Sequence, residues 1–144
     1  MGRRMTTAID TNIISALWNK DDALNRAAQG ALEAASGRGK LVISGVVYAE
    51  LLAAPGRTEA FLDQFCEETG IGVEWELVEG VWRAAGHAFQ SYATRRRKQR
   101  GAEPRRILAD FLIGAHALVQ GYSLLTLDEG MYRAAYPRLG IVTV

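Results

Sequence analysis

Four acidic residues, two at the ends of apolar runs and two inside them, are of the type and spacing that could do chemistry together. Asp10 closes the run Thr6-Thr7-Ala8-Ile9 and is followed by Thr11 and Asn12, ahead of the apolar stretch Ile13-Ile14-Ser15-Ala16-Leu17-Trp18. Glu50 is the only charged residue in Gly45–Ala54, and Asp110 is the only acid in Ile107–Val119. Asp128 follows Ser123-Leu124-Leu125-Thr126-Leu127. Each has a structural reading: Asp10 and Asp128 suit the N-cap of a following helix, and Glu50 or Asp110, turned inward, could pair with an arginine, since burying an unpaired carboxylate is costly. The chemical reading takes the four together. If they converge, two neighbours ~4 Å apart repel by roughly 4 kcal/mol at an effective dielectric of ~20, and a divalent cation resolves that conflict. Hard oxygen ligands without His or Cys select Mg²⁺ or Mn²⁺ rather than zinc.

Positioning those acids requires an alternation of strand and helix. The patterns predict strands at Thr6–Ile9, Leu41–Ile43, Val73–Val78, Ser123–Leu127 and Gly140–Val144. Helices are expected at Ile13–Trp18, Asp21–Ala35, Val46–Ala54 with Ser44 as N-cap, Thr58–Glu68, a long stretch through Val81–Ala93 that runs into a basic segment, Leu108–Gln120 and Glu129–Ala135. About five short strands interleaved with helices imply an α/β fold with a mainly parallel sheet flanked by helices. Ligands of such sheets bind outside the carboxyl ends of the strands, and Asp10 and Asp128 both fall there.

The chain has 144 residues, which fits one domain spanning 1–144 with residues 1–4 as a flexible N-terminal extension. Cys66 is the only cysteine, so no internal disulfide can form and no zinc spacing exists; a core role for Cys66 and a reducing, cytoplasmic location are expected. No apolar run approaches the ~20 residues of a membrane span, so no membrane partner is expected. The formal net charge of +1 hides a sorted distribution, because residues 95–106 carry a local +6 against −5 elsewhere. Arg95, Arg96, Arg97, Lys98, Arg100, Arg105 and Arg106 are the candidates for holding phosphate groups that an acidic centre would repel; a solvated helix end is the plain alternative.

Asp10-Thr11-Asn12 after a strand, Glu50 in "YAEL", Asp110 in "ADFLIGAHAL" and Asp128 in "TLD", in this order, resemble the acidic signature of PIN-domain ribonucleases, with the nearest likeness to VapC-type toxins of bacterial toxin–antitoxin modules. The resemblance runs from Met5 to Val144. It implies a single PIN-like domain in which Asp10, Glu50, Asp110 and Asp128 are catalytic and gather Mg²⁺ or Mn²⁺, while Thr11, Asn12 and Thr126 support them by hydrogen bonding. It further implies hydrolysis of RNA phosphodiester bonds, in structured RNA such as tRNA or rRNA, a cognate antitoxin as partner, and a homodimer. Gly114 stands where relatives more often have Ala, a departure whose expected cost is about 1 kcal/mol of helix propensity. The alternative is a catalytically silent PIN-like RNA-binding module.

Competing chemistries lack parts. Gly39-Lys40-Leu41 is no P-loop, since Ser or Thr is absent and a strand follows. A receiver-like module wants a late Lys, and none follows Lys98; a haloacid-dehalogenase-like site wants a second Asp where Asn12 stands.

Overall fold

The computed structural model describes residues 5–99 and 106–144. Arg100, Arg105 and the extension at residues 1–4 lie outside the described residues. Along the chain the elements are β1 (Thr7–Ile9), α1 (Thr11–Trp18), α2 (Asn25–Arg38), β2 (Leu41–Ser44), α3 (Gly45–Ala53), α4 (Glu59–Thr69), β3 (Ile71–Glu74), α5 (Glu79–Lys98), α6 (Leu108–Gln120), β4 (Ser123–Leu125), α7 (Glu129–Ala135) and β5 (Ile141–Val142). The strands form one sheet in the order β3-β2-β1-β4-β5, and each neighbouring pair is parallel. β1 and β2 are buried at every position, as central strands covered on both faces must be.

That order sets the site. The chain builds outward from β1 to β3, then returns to the other side of β1 for β4 and β5, so the connections diverge between β1 and β4. Thr7 pairs with Ser123 and Ile9 with Leu125, and the Asp10 N–H continues the ladder to Leu125 O at 2.9 Å. At such a switch point the loops leave in opposite directions and a crevice opens beyond the carboxyl ends of the strands. Asp10 and Asp128 leave the sheet there.

Local chemistry explains where the elements start and stop. Ser44 accepts from Val47 N (3.4 Å) and Thr58 from Phe61 N (3.1 Å), each supplying an acceptor to the orphan amides of the helix behind it. α2 begins at Asn25, not at Asp21 as its apolar stripe suggests. Asn19 Oδ1 takes the Asp21 N–H and Asp22 Oδ1 the Leu24 N–H, so short polar side chains hold residues 19–24 as turns. Asn25 then donates to Ala16 O and Leu17 O, carbonyls in the last turn of α1.

The expected strand at Val73–Val78 is displaced to Ile71–Glu74. Gly70, at φ 73°, turns the chain straight out of α4, and β3 pairs with β2 only from Ile71 opposite Leu41 to Glu74 opposite Ser44. Beyond that register Trp75 and Leu77 have no neighbouring strand to pair with, and Trp75 is 63% exposed. Glu74 instead accepts from the Tyr122 hydroxyl (2.7 Å) and meets His116 Nε2 (2.8 Å), tying the edge strand to α6 and the start of β4. Cys66 is buried in the core.

Candidate active site

Asp10, Glu50, Asp110 and Asp128 line one cavity of about 430 Å³. Four elements deliver them: the end of β1, the middle of α3, the first turn of α6 and the start of α7. Thr11, Asn12, Ser15, Asp22, Arg106 and Tyr132 are also in the wall.

Asp10 is the innermost acid, only 6% exposed. Its Oδ1 accepts from Thr11 N (2.8 Å) and its Oδ2 from Thr126 Oγ1 (2.7 Å). Burial pushes its carboxyl up to about 6; the bonds from Thr126, Tyr132 and Thr11 pull against that, and negative Asp110 adds to it. Desolvation, more than the mutual repulsion of the acids, is therefore the larger cause of the shift. N-capping accounts for only one of the two Asp10 oxygens.

The hydroxyls interlock. Thr11 Oγ1 donates to Glu50 Oε1 (2.6 Å), so one residue fixes Asp10 through its amide and Glu50 through its side chain. Thr126 Oγ1 donates to Asp10 and accepts from Asp128 N (2.9 Å). Asn12 Oδ1 accepts from Leu127 N (3.2 Å), and its Nδ2 reaches Thr126 Oγ1 at 3.5 Å, binding the start of α1 to the β4–α7 connection. Asp110 Oδ2 accepts from Ile107 N (3.3 Å), the half of a capping box that an isoleucine at the cap leaves possible. Asp128 occupies the cap position of α7 without a side-chain capping bond. It is ion-paired with Arg106.

Among the lining residues not singled out for this cavity from the sequence, Tyr132 and Arg106 bear most on its charge. Tyr132, four residues after Asp128 and so on the same face of α7, is buried beside Asp10, and burial together with the negative Asp10 and Asp110 pushes its phenol far above the ordinary range. Arg106, predicted as a phosphate contact, lies inside the acidic cavity. Tyr132 can sit there because of Gly114. A Cβ on Gly114 would come within 2.9 Å of the Tyr132 ring and 2.5 Å of the Tyr136 ring, and Tyr136 is held by its hydroxyl bond to Phe111 O (2.6 Å). The glycine that looked like a small loss of helix propensity is instead the steric condition for packing α7 against α6.

The basic segment divides. Arg95 and Arg96 line a second cavity that also touches Arg106, whereas Arg97 and Lys98 end α5 on the exposed side.

The donor set at the acidic cavity is carboxylate and hydroxyl oxygen, the chemistry that suits Mg²⁺ or Mn²⁺. Among the described residues no three of these side chains close on a single point as a ready-made metal cage. The Arg106 guanidinium supplies part of the positive charge that the acids require.

The PIN domain family matches residues 7–136, and the chain belongs to that family. Its fold is shared with VapBC2 from Rickettsia felis bound to a DNA fragment from their promoter, at TM-score 0.68 and 21% identity, over 96% of this chain and 98% of that one. It is shared also with a toxin–antitoxin complex from Klebsiella pneumoniae (TM-score 0.65, 18% identity, 95% and 96% covered) and with VapBC-1 from nontypeable Haemophilus influenzae (TM-score 0.65, 19% identity, 96% and 98% covered). Comparison with curated proteins by sequence gives no match. Among the described residues no helix is long and apolar enough to cross a membrane.

Proposed function

We propose that the chain is a Mg²⁺- or Mn²⁺-dependent endoribonuclease, the toxin of a toxin–antitoxin pair. It would act in the cytoplasm as a homodimer, on structured RNA such as tRNA or rRNA, and be silenced by a cognate antitoxin. The observation that supports this most is the meeting of Asp10, Glu50, Asp110 and Asp128 in one cavity at the β1/β4 switch point. Membership of the PIN-domain family and a fold shared with a toxin–antitoxin complex point the same way.

Asp10, Glu50, Asp110 and Asp128 would hold the cation. When bound, it supplies charge for the developing leaving oxygen and lowers the pKa of a water aimed at phosphorus. The chain's own groups do the rest. Thr11 and Thr126 hold the Glu50 and Asp10 carboxylates at fixed angles, so their charge is preorganised and need not reorient during the reaction. Tyr132 covers the buried side of Asp10 and keeps water from it. Arg106 offers a cation at the cavity wall, where a phosphodiester would otherwise meet only negative charge.

A silent RNA-binding module is the second reading, favoured by the Arg106–Asp128 ion pair and by the lack of a closed three-ligand cage among the described residues. Cleavage decides between them. Purified protein with Mn²⁺ is expected to cut a hairpin RNA within its loop, and excess chelator or Asp10→Asn is expected to stop it. Loop cleavage that persists at the wild-type rate in Asp10→Asn protein would reject the nuclease assignment.

A further inference from the structure

Arg106 is a wall common to two cavities. On one side are the four acids; on the other is an opening of about 260 Å³ lined by Met131, Ala134 and Ala135 over the buried Phe111, with Tyr92 at its side and Arg95 and Arg96 at its rim. We infer that this second cavity receives one unpaired base of the RNA, from the nucleotide adjoining the phosphate held at the acids; the inference rests on the ribonuclease reading above.

The chemistry of the cavity selects its occupant. An apolar floor gives a lone anion nothing, and the volume would hold roughly nine waters at ~30 Å³ each, well beyond the needs of a single ion. A flat, weakly polar group flanked by negative charges satisfies both the floor and the rim, and a nucleobase between two phosphates is such a group. Phe111 is itself buried, stacked on Phe89 (5.0 Å) with Tyr92 tilted against it (5.5 Å), so it braces the half-buried Tyr92 ring from behind and the cavity side need not be assembled around the ligand. The Arg106 N–H also donates to the Tyr92 hydroxyl (3.2 Å), which fixes the partition to the aromatic wall.

Position adds to composition. A strand whose phosphate lies against the acids must pass Arg106 to leave them on this side, and the guanidinium can face the phosphate between the two cavities. A base engaged in a duplex is stacked and paired and cannot enter; an unpaired one can turn out and rest on an aromatic or guanidinium plane. An extended peptide would instead bring backbone amides to a floor of apolar side chains. The cavity thus favours single-stranded segments over helical ones and ties the cleavage position to one neighbouring base.

The test measures binding without chemistry. A short single-stranded RNA is made with an abasic site at each position in turn and titrated by fluorescence anisotropy in chelating buffer. In the wild type one abasic position is expected to weaken binding by about tenfold, within the range for loss of one stacked base. Ala134 is exposed on α7 and lines the same cavity. Ala134→Leu fills it from the surface and is expected to weaken the intact RNA similarly while erasing the penalty of the abasic site; Met131→Phe fills it from the floor and gives the same two readouts. The inference is overturned if no abasic position stands out, or if both filled variants keep the wild-type abasic penalty. It is also overturned if the filled variants bind RNA normally but lose a co-expressed protein partner, which would make the cavity a protein dock. Failure of the nuclease reading has another signature: the abasic penalty and its loss on filling remain, but RNA stays uncut with Mn²⁺.

Discussion

Thr126 Oγ1 donates to Asp10 Oδ2 at 2.7 Å, joining residues 116 positions apart at the ends of two adjacent strands. The bond serves a carboxylate that burial disfavours, and Thr126 turns its lone pairs to Asp128 N and Asn12 Nδ2. One hydroxyl thereby coordinates the β1 and β4 ends of the site.

Thr126→Val keeps the shape and removes the hydroxyl. Loss of a hydrogen bond to a buried charged group is expected to cost about 1.5–3 kcal/mol at pH 7, read from urea unfolding. At pH 4, where Asp10 is protonated when folded, the cost shrinks. A valine variant as stable as wild type at pH 7 would show that the bond contributes nothing.

The Asp10 carboxyl is raised from 3.8 to about 6 on folding, chiefly by burial. A carboxyl with a raised folded pKa binds more protons folded than unfolded, so its contribution lowers stability as pH rises from about 4 to about 6, is fully unfavourable above 6, and is absent below 4. The effect is of order 3 kcal/mol by linkage. In metal-free buffer, Asp10→Asn is therefore expected to gain on wild type across that window, with urea melts at pH 4, 5, 6 and 7 as the check. A constant difference at all four pH values would remove Asp10 as the titrating group.

Gly114→Ala pits propensity against packing. Alanine favours the helix by about 1 kcal/mol, but its methyl meets the rings of Tyr132 and Tyr136, and overpacking of this kind costs about 1–3 kcal/mol. Net destabilisation and reduced RNA cleavage are expected together, since Tyr132 is displaced from Asp10. A more stable variant with normal cleavage would contradict the steric role.

The candidate acids were legible because Glu50 and Asp110 are lone acids in apolar helical runs, Gly45–Ala54 and Ile107–Val119, while Asp10 and Asp128 stand where apolar strands end. The α/β architecture followed from the same alternation, and α6 and α7 end where their patterns do. What stayed hidden depends on contacts between distant segments. The limits of β3 are set by the length of β2, the start of α2 by two side-chain turns, and the need for Gly114 by rings eighteen and twenty-two positions later. Nothing in the sequence singled out Tyr132, because its spacing from Asp128 matters only once α7 is known to begin there. Arg106 was visible as a charge but not as a member of the acidic cavity.

Arg106 is shared between the two kinds of charge it can meet, and its removal is expected to act oppositely on them. Arg106→Gln frees Asp128 and tightens Mn²⁺ binding, while RNA binding weakens and the log–log salt slope falls by about one. Anisotropy titrations between 50 and 200 mM salt, a range of about fourfold over which phosphate contacts are well resolved, provide the check. An unchanged slope would take Arg106 away from RNA phosphate.

The central claim is that four acids from four elements act as one cation site, and a calorimetric Mn²⁺ titration into chelator-stripped protein tests it most directly. Wild type is expected to give a saturable heat at pH 7. Glu50→Gln and Asp110→Asn, on two different helices, are each expected to weaken binding by at least about tenfold, the lower range seen even for residues that only support metal ligands. Absence of saturable heat in the wild type, or binding as tight in both variants as in the wild type, would contradict a shared metal site at these carboxylates.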